Sequence, residues 1–346
     1  MTSTCSNTTI TPFNGEVAWP YWQTLVDVAT AQGVTINLAK KCSTNLSGTL
    51  VATVEQYLDV FTKGLKVSET FGLQVGKSVT LGTFPVLGMT LLSCQDLRQA
   101  LSQILRYEAL NHDLGVSKLV LGQKNSRYIW IPNELYLPSS RCITSFQLAL
   151  SVFAGVQVFS PKLIQQTLPL ERVGFRVDKP KNATVYNEFF QTDVLFNQAC
   201  NFIDIKSSIL DLAVVGGDMA SFSALTSYAD SLLADKDKGS VILQLQRVLP
   251  RALGKHQFKV DDLASELNIS VRTLQRQLKD SGTKFQRVLD SVRQQLAEHY
   301  LLEKKLSMSD IAFLIGYQEQ SSFNHAFKGW SGMSPSEFVS RIGEKS

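Results

Sequence analysis

DLASELNISVRTLQRQLK, from Asp262 to Lys279, is followed by DIAFLIGYQEQSSFNHAFK, from Asp310 to Lys328, and the two are one pattern written twice. Asp262, Leu263, Ala264, Leu267, Asn268 and Ile269 recur 48 positions later as Asp310, Ile311, Ala312, Ile315, Gly316 and Tyr317. After one extra residue in the turn, Leu274, Leu278 and Lys279 recur as Phe323, Phe327 and Lys328. A short apolar helix, a tight turn and a second helix describe a helix-turn-helix. Asn268 and Gly316 share the place where the chain reverses, and a left-handed backbone is easiest there for glycine and next for asparagine. Ser270 offers a hydroxyl cap to the second helix.

The outward faces of the two units differ. Leu263, Ala264, Leu267, Ile269, Leu274 and Leu278 make the buried face of the first, leaving Arg272, Thr273, Gln275, Arg276 and Lys279 outside. Arginine pairs with guanine and glutamine with adenine in the major groove, so Arg272, Gln275 and Arg276 are the expected base readers. Lys279 suits phosphate, with Ser270, Thr273 and Lys328 in supporting or phosphate roles. In the second unit Gln320, Ser321, Asn324 and His325 face out beside Glu319, which opposes phosphate. Any one of these residues alone reads better as part of a solvated helix face; the set, on a tandem repeat, reads as DNA contact. The helix between the units, about 18 residues or ~27 Å, compares with the ~34 Å separating successive major-groove faces.

Working outward, 346 residues suggest two domains. Hydrophobic content of 44% with 18% charged residues describes a globular chain rather than a disordered one. The net charge of +4 is unevenly placed: residues 236–346 hold 17 Lys/Arg against 12 Asp/Glu, the rest 17 against 18. The positive excess therefore accompanies the repeat, as a phosphate-facing surface requires. Cys5, Cys42, Cys94, Cys142 and Cys200 are odd in number and form no C-x-x-C, which points to a reducing cytoplasm rather than a disulfide or zinc framework. The polar start MTSTCSNTTITPFNG reads as a tail without signal-peptide grammar. The 20 uncharged residues between Arg141 and Lys162 match a bilayer in length, but recurrent Ser, Thr and Gln make a buried core helix the better reading.

Helices are expected from Trp19 to Gly33 and from Val51 to Phe61. FGLQVGKSVTLGTFPVLGMTLL, Phe71 to Leu92, reads as short strands punctuated by Gly72, Gly76, Gly82 and Gly88. A helix after Ser93-Cys94-Gln95-Asp96, strands at Ser117–Leu121 and Arg127–Ile131, the long helix through 143–158 and a strand at Arg172–Val177 follow. The charged run Asp235–Ser240 is the best linker candidate. The fold class is thus an α+β domain over residues 15–212, a helical connector and linker over 213–240, and an all-α domain over 241–343 carrying two helix-turn-helix units joined by a linker helix.

The motifs LASELNISVRTLQRQLKDSGTKFQRVLDSVRQQLA and LSMSDIAFLIGYQEQSSFNHAFKGWSGMSPSEF resemble the DNA-binding domain of AraC/XylS transcription regulators. FGLQVG, TFPVLGMTLLSCQDLRQAL and VLFNQACNFIDI are similar to the arabinose-binding-like N-terminal domain of one subfamily, which includes regulators of ornithine and arginine use. The resemblance implies a cytoplasmic regulator, an activator, that binds double-stranded promoter DNA and answers to a small-molecule effector through its N-terminal domain. It also implies a homodimer that engages RNA polymerase, with no cofactor, metal, membrane or catalytic role. Two positions depart from the family pattern: Gln318 replaces a short capping residue, and His325 stands where arginine is frequent. Two alternatives stay open: a constitutive dimer whose N-terminal domain only dimerises, and an enzyme carrying a DNA-binding domain. The latter wants a reactive cysteine in an electropositive setting; Cys142 follows Arg141 but opens an apolar helix.

Overall fold

The computed structural model describes residues 15–36, 43–44, 50–133, 135–137 and 142–343. The tail before Gly15 and the cysteines at 5 and 42 lie outside them. The chain begins with β1 (Glu16–Ala18), α1 (Trp19–Ala31), β2 (Ser43–Thr44), β3 (Leu50–Thr53) and α2 (Val54–Val67). Gly33 ends α1 at φ +79°. The second expected helix starts later than its apolar spacing suggested. Residues 50–53 pair as a strand with β1, and Thr53 and Gln56 then form a reciprocal capping box that sets the start of α2.

The glycine-rich segment after Phe71 is a correction. It forms α3 (Phe71–Lys77), a 3-10 turn at Leu81–Thr83 and α4 (Pro85–Ser93), with no strand. The next helices are α5 (Leu97–Tyr107) and, further on, α6 (Ile143–Ile164). Gly72 and Gly76 lie four apart on one face of α3, and a Cβ at either would overlap the carbonyl of Gln147 or Ser151 on α6. The glycines let two helices touch backbone to backbone, and Gln147 Oε1 accepts from the Gly72 N–H at 2.9 Å. α6 is the one helix among the described residues long and apolar enough to cross a membrane; 72% of its apolar window is buried inside the protein.

A five-stranded sheet crosses this helical layer: β4 (Gly115–Val120), β5 (Asn125–Pro132), β6 (Arg172–Gly174), β7 (Val194–Leu195) and β8 (Asn201–Lys206), in the order β4-β5-β8-β6-β7. Every pairing is antiparallel except β6 with β7. Between β6 and β7 lies α7 (Thr184–Phe190). Alternate side chains point to opposite faces. Tyr128, Trp130, Ile203 and Ile205 enter the core with α6, while Ile129, Ile131 and Phe202 face the other way.

The C-terminal third holds α8 (Met219–Gly239), α9 (Val241–Gly254), α10 (Val260–Glu266), α11 (Val271–Asp280), α12 (Phe285–Glu303), α13 (Met308–Leu314), α14 (Gln320–Ser331) and α15 (Pro335–Gly343). The run read as a linker is the last turn of α8, and the Ser240 hydroxyl caps α9. Lys236 explains why this segment is not loose. Its ammonium reaches Asp113 Oδ1 at 2.9 Å and the Ala109 carbonyl at 2.5 Å. Arg106 and Tyr107 bind Asp230 one and a half turns earlier, at 2.9 and 2.7 Å.

The outer face of the five-stranded sheet is covered by the second helix-turn-helix unit. Ile129, Ile131, Ala199, Cys200 and Phe202 form one apolar cluster with Ala297, Leu301, Phe327 and Phe338. Within it Arg176 meets Glu298 at 3.5 Å and donates to the Ser331 carbonyl at 3.1 Å. At the edges Lys118 donates to the Gln295 carbonyl, and Arg341 to Asn197.

Candidate nucleic-acid interface and buried cavity

The two units fold alike down to single hydrogen bonds. Asn268 takes φ +55° and Gly316 φ +83°. The amides of Asn268 and Ile269 donate to Ser265 and Ala264, as those of Gly316 and Tyr317 donate to Phe313 and Ala312. Gly316 has a second constraint, since a Cβ there would press into Phe258 and Leu253. Leu263, Ala264, Leu274 and Leu278 are buried in the first unit; Ile311, Ala312, Phe323 and Phe327 are buried in the second.

α11 begins at Ser270, whose hydroxyl accepts from the Thr273 amide at 3.1 Å and contacts the Thr273 hydroxyl at 2.9 Å. Those two hydroxyls satisfy each other, so their first task is to build the helix start. Arg272, Gln275, Arg276 and Lys279 are all exposed. Their spacing of three and four residues puts them on one face of α11, away from Leu274 and Leu278.

On α14, Gln320, Ser321, His325 and Lys328 are exposed and Asn324 is half-buried. Two of these polar groups have partners inside the unit. Gln320 Oε1 accepts from Ser309 at 2.8 Å, and Ser321 donates to Glu319 at 3.0 Å. The cap position is Glu319 rather than Gln318, and no side chain caps the helix. The second face is therefore more occupied and less basic than the first.

Arg293 in α12 is the residue that sequence reasoning missed. Its guanidinium donates to the Ile315 carbonyl at 3.0 Å and the Gly316 carbonyl at 3.3 Å. It also lies over the rings of Phe258, at 4.9 Å, and Tyr317, at 4.6 Å. It thus pins the turn of the second unit to the first. An arginine amid Val288, Leu289, Val292 and Leu296 was the available signal. α12 itself, 19 residues, spans ~28 Å at ~1.5 Å per residue.

The N-terminal domain holds a partly open cavity of about 100 Å³ between α4, α5 and α6. Most of its wall is aliphatic. At one end stand Glu108, Asn111 and His112, with Tyr21, Tyr128 and Ser151. Glu108 continues the inward face of Leu97, Leu101 and Ile104 past the end of α5. Its carboxylate accepts from the Ser117 amide at 2.6 Å and hydroxyl at 2.9 Å. His112 Nε2 lies 4.0 Å from Glu108, and its Nδ1 is buried with no hydrogen-bond partner among the described residues.

Burial pushes Glu108 up to about 7 against the lowering effect of Ser117. Burial pulls His112 down to about 4, with Asp113 opposing and Lys236 assisting. The two effects run in opposite directions with pH. Glu108 stabilises the fold below its unfolded value of 4.5, and that contribution is lost as pH rises to about 7. His112 costs stability in acid, and the cost disappears as pH rises from about 4 to 6.5. Each is worth ~3 kcal/mol at ~1.4 kcal/mol per unit, so between pH 4.5 and 6.5 they offset. In His112→Asn, urea-unfolding stability should fall by ~3 kcal/mol between pH 4.5 and 7. In Glu108→Gln it should rise over pH 4 to 6.5. Parallel pH profiles in both variants would contradict the assignment.

Comparison with known proteins agrees with this architecture. Residues 49–214 match the arabinose-binding domain of AraC transcription regulators, N-terminal, and residues 263–341 match a helix-turn-helix domain. The ornithine utilization regulator of Pseudomonas aeruginosa is 30% identical over 278 residues, 77% of each chain. The transcriptional regulator VqsM of the same organism is 25% identical over 287 residues, 81% of this chain and 86% of that one. The crystal structure of the transcriptional regulator CdpR, also from Pseudomonas aeruginosa, aligns over 93% of this chain and 98% of its own, with TM-score 0.48 and 20% identity. A tandem helix-turn-helix behind an arabinose-binding-like domain, in a chain related over most of its length to such regulators, places this protein in the AraC family of transcriptional regulators.

Proposed function

We propose that this regulator reads promoter DNA mainly through the first unit, and that a small molecule in the N-terminal cavity sets how both units are presented. The observation that carries the coupling is one of adjacency. The polar end of the cavity, Asn111 and His112, is next in sequence to Asp113, which clasps Lys236 on α8. α8 runs from there into the DNA-binding domain. A ligand that moves this end must bind one arrangement of the clasp better than the other to shift the population.

Arg272, Gln275 and Arg276 act as base readers, and Lys279 holds phosphate. Ser270 and Thr273 support α11, and Gln320, Ser321, Asn324, His325 and Lys328 give the second unit a positioning role. The working units are residues 15–212 for effector binding and dimerisation, 213–240 as connector, and 241–343 for DNA. The protein acts in the cytoplasm as a homodimeric activator that recruits RNA polymerase. The relatives are named as regulators, and we assign no catalytic activity. Burial pushes the Cys94 thiol up to about 12 and Cys200 up to about 11, the reverse of a nucleophile's needs.

Binding-site selection with purified variants tests the readout. Arg272→Ala and Arg276→Ala should each cost ~1–3 kcal/mol on the selected site and relax base choice nearby. Lys279→Ala should weaken all sequences equally and lower the salt slope by about one. Unchanged base preference in both arginine variants would remove α11 from sequence reading.

A further inference from the structure

The cavity has the chemistry of a specific ligand class. We propose that it takes a small, mostly apolar molecule with a single hydrogen-bond-donating head, an alcohol or a primary amine, the head lying against Glu108 and the chain between α4, α5 and α6. This rests on the reading of the N-terminal domain as the effector domain.

Size comes first. A cavity of about 100 Å³ is somewhat smaller than the ~150 Å³ that holds benzene, so the ligand has about four to six non-hydrogen atoms. The wall is next: Leu87, Leu91, Leu101, Val156, Phe159 and Leu163 offer nothing to a polar chain.

The polar end decides the head group. Among the described residues no lysine or arginine lines the cavity, and His112 stays neutral because burial pulls its pKa down to about 4. Above pH 7, where Glu108 is ionised, a carboxylate would meet it with no cation among the described lining residues to offset it. A zwitterionic amino acid could set its ammonium against Glu108, but its carboxylate would lie unpaired against the cavity wall, which costs more than the cavity returns. A hydroxyl or an amine instead donates to the Glu108 carboxylate, which is nine-tenths buried. The buried, unpartnered His112 Nδ1 supplies a further polar atom at the same end. The arrangement therefore disfavours amino acids such as ornithine, although a relative is named for ornithine utilization.

Titration calorimetry and thermal shift on the full chain test the assignment, with ethanol to 1-octanol, the matching n-alkylamines, the matching n-alkanoates, and ornithine. At pH 8, with Glu108 ionised, alcohols or amines should bind with an optimum near four to six heavy atoms, and alkanoates and ornithine should not bind. Glu108→Leu should weaken the best ligand about tenfold or more, the usual effect of removing a buried charged acceptor. A second variant guards against misfolding. Gly155 lines the cavity, and a Cβ there meets Val79 at 3.5 Å and the Gly76 carbonyl at 4.0 Å, both ordinary contacts. Gly155→Ala should keep the fold and shift the preferred chain down by about one carbon. Alkanoates or ornithine binding as well as alcohols, no alcohol or amine binding, or an optimum unmoved by Gly155→Ala would each overturn the assignment. Ligands that bind as described without changing affinity for promoter DNA would leave the site intact and refute the effector role instead.

Discussion

Replacing Arg293 by methionine should cost ~3 kcal/mol or more of stability and weaken binding to a site with both half-elements more than to the first element alone. The size follows from what the guanidinium touches. Two charge-assisted bonds end on the Ile315 and Gly316 carbonyls, the last acceptors after α13, where a cation is favoured. Without them these carbonyls have lost their partner in a packed turn. The flat cation also fills the space between Phe258 and Tyr317, and desolvated contacts of this kind contribute ~2 kcal/mol. Methionine keeps the volume, so the loss is chemical rather than a cavity. Arg293→Lys should fall between, since an ammonium reaches one carbonyl and does not stack as a plane. Urea unfolding gives the stability, and titration with whole and half sites gives the coupling. Equal weakening on both DNAs would mean that α12 alone fixes the two units, with Arg293 serving only stability.

What could be read from the sequence divides along the same line. Asn268 and Gly316 were legible because a positive φ admits few residue types, so the turn announces itself locally. The α11 face was legible because Leu274 and Leu278 fix which side is buried. Phe71 to Leu92 was misread because glycine has two uses. There it marks close helix contact, and Gly72 and Gly76 make sense only once α6 lies across them. Arg293 and Arg176 look like surface residues until elements distant in sequence supply carbonyls and a carboxylate. The cavity belongs to the same class. Leu97, Leu101, Ile104 and Glu108 hinted at a carboxylate on an inward face, but three helices must assemble before that face has a space to line. Strand β5 carried a clearer hint. Tyr128, Ile129, Trp130 and Ile131 are apolar on both faces, a pattern that requires the sheet to be covered twice.

That second cover leads to the other large effect. Arg176→Met should destabilise the docked arrangement by ~3–5 kcal/mol, because Glu298 would remain buried without its cation. Glu298→Leu should cost a similar amount, leaving Arg176 with the Ser331 carbonyl alone. The double variant should recover most of the loss, since a buried ion pair exchanged for apolar residues of similar volume is often neutral or better. Single variants should therefore unfold in two steps, the DNA-binding domain parting first, and the double variant in one. The pair is not what makes docking favourable; Ile129, Ile131 and Phe202 do that by leaving water. The pair sets register, because the two Arg176 Nη atoms meet Glu298 on α12 and the Ser331 carbonyl at the end of α14 in this arrangement, although its Nε stays buried without a partner among the described residues. An effector that releases the second unit must expose those three side chains, so release requires another apolar surface or a DNA site to offset the exposure. If both single variants unfold within ~1 kcal/mol of the parent, solvent already reaches the pair and the sheet face alone holds the domains together.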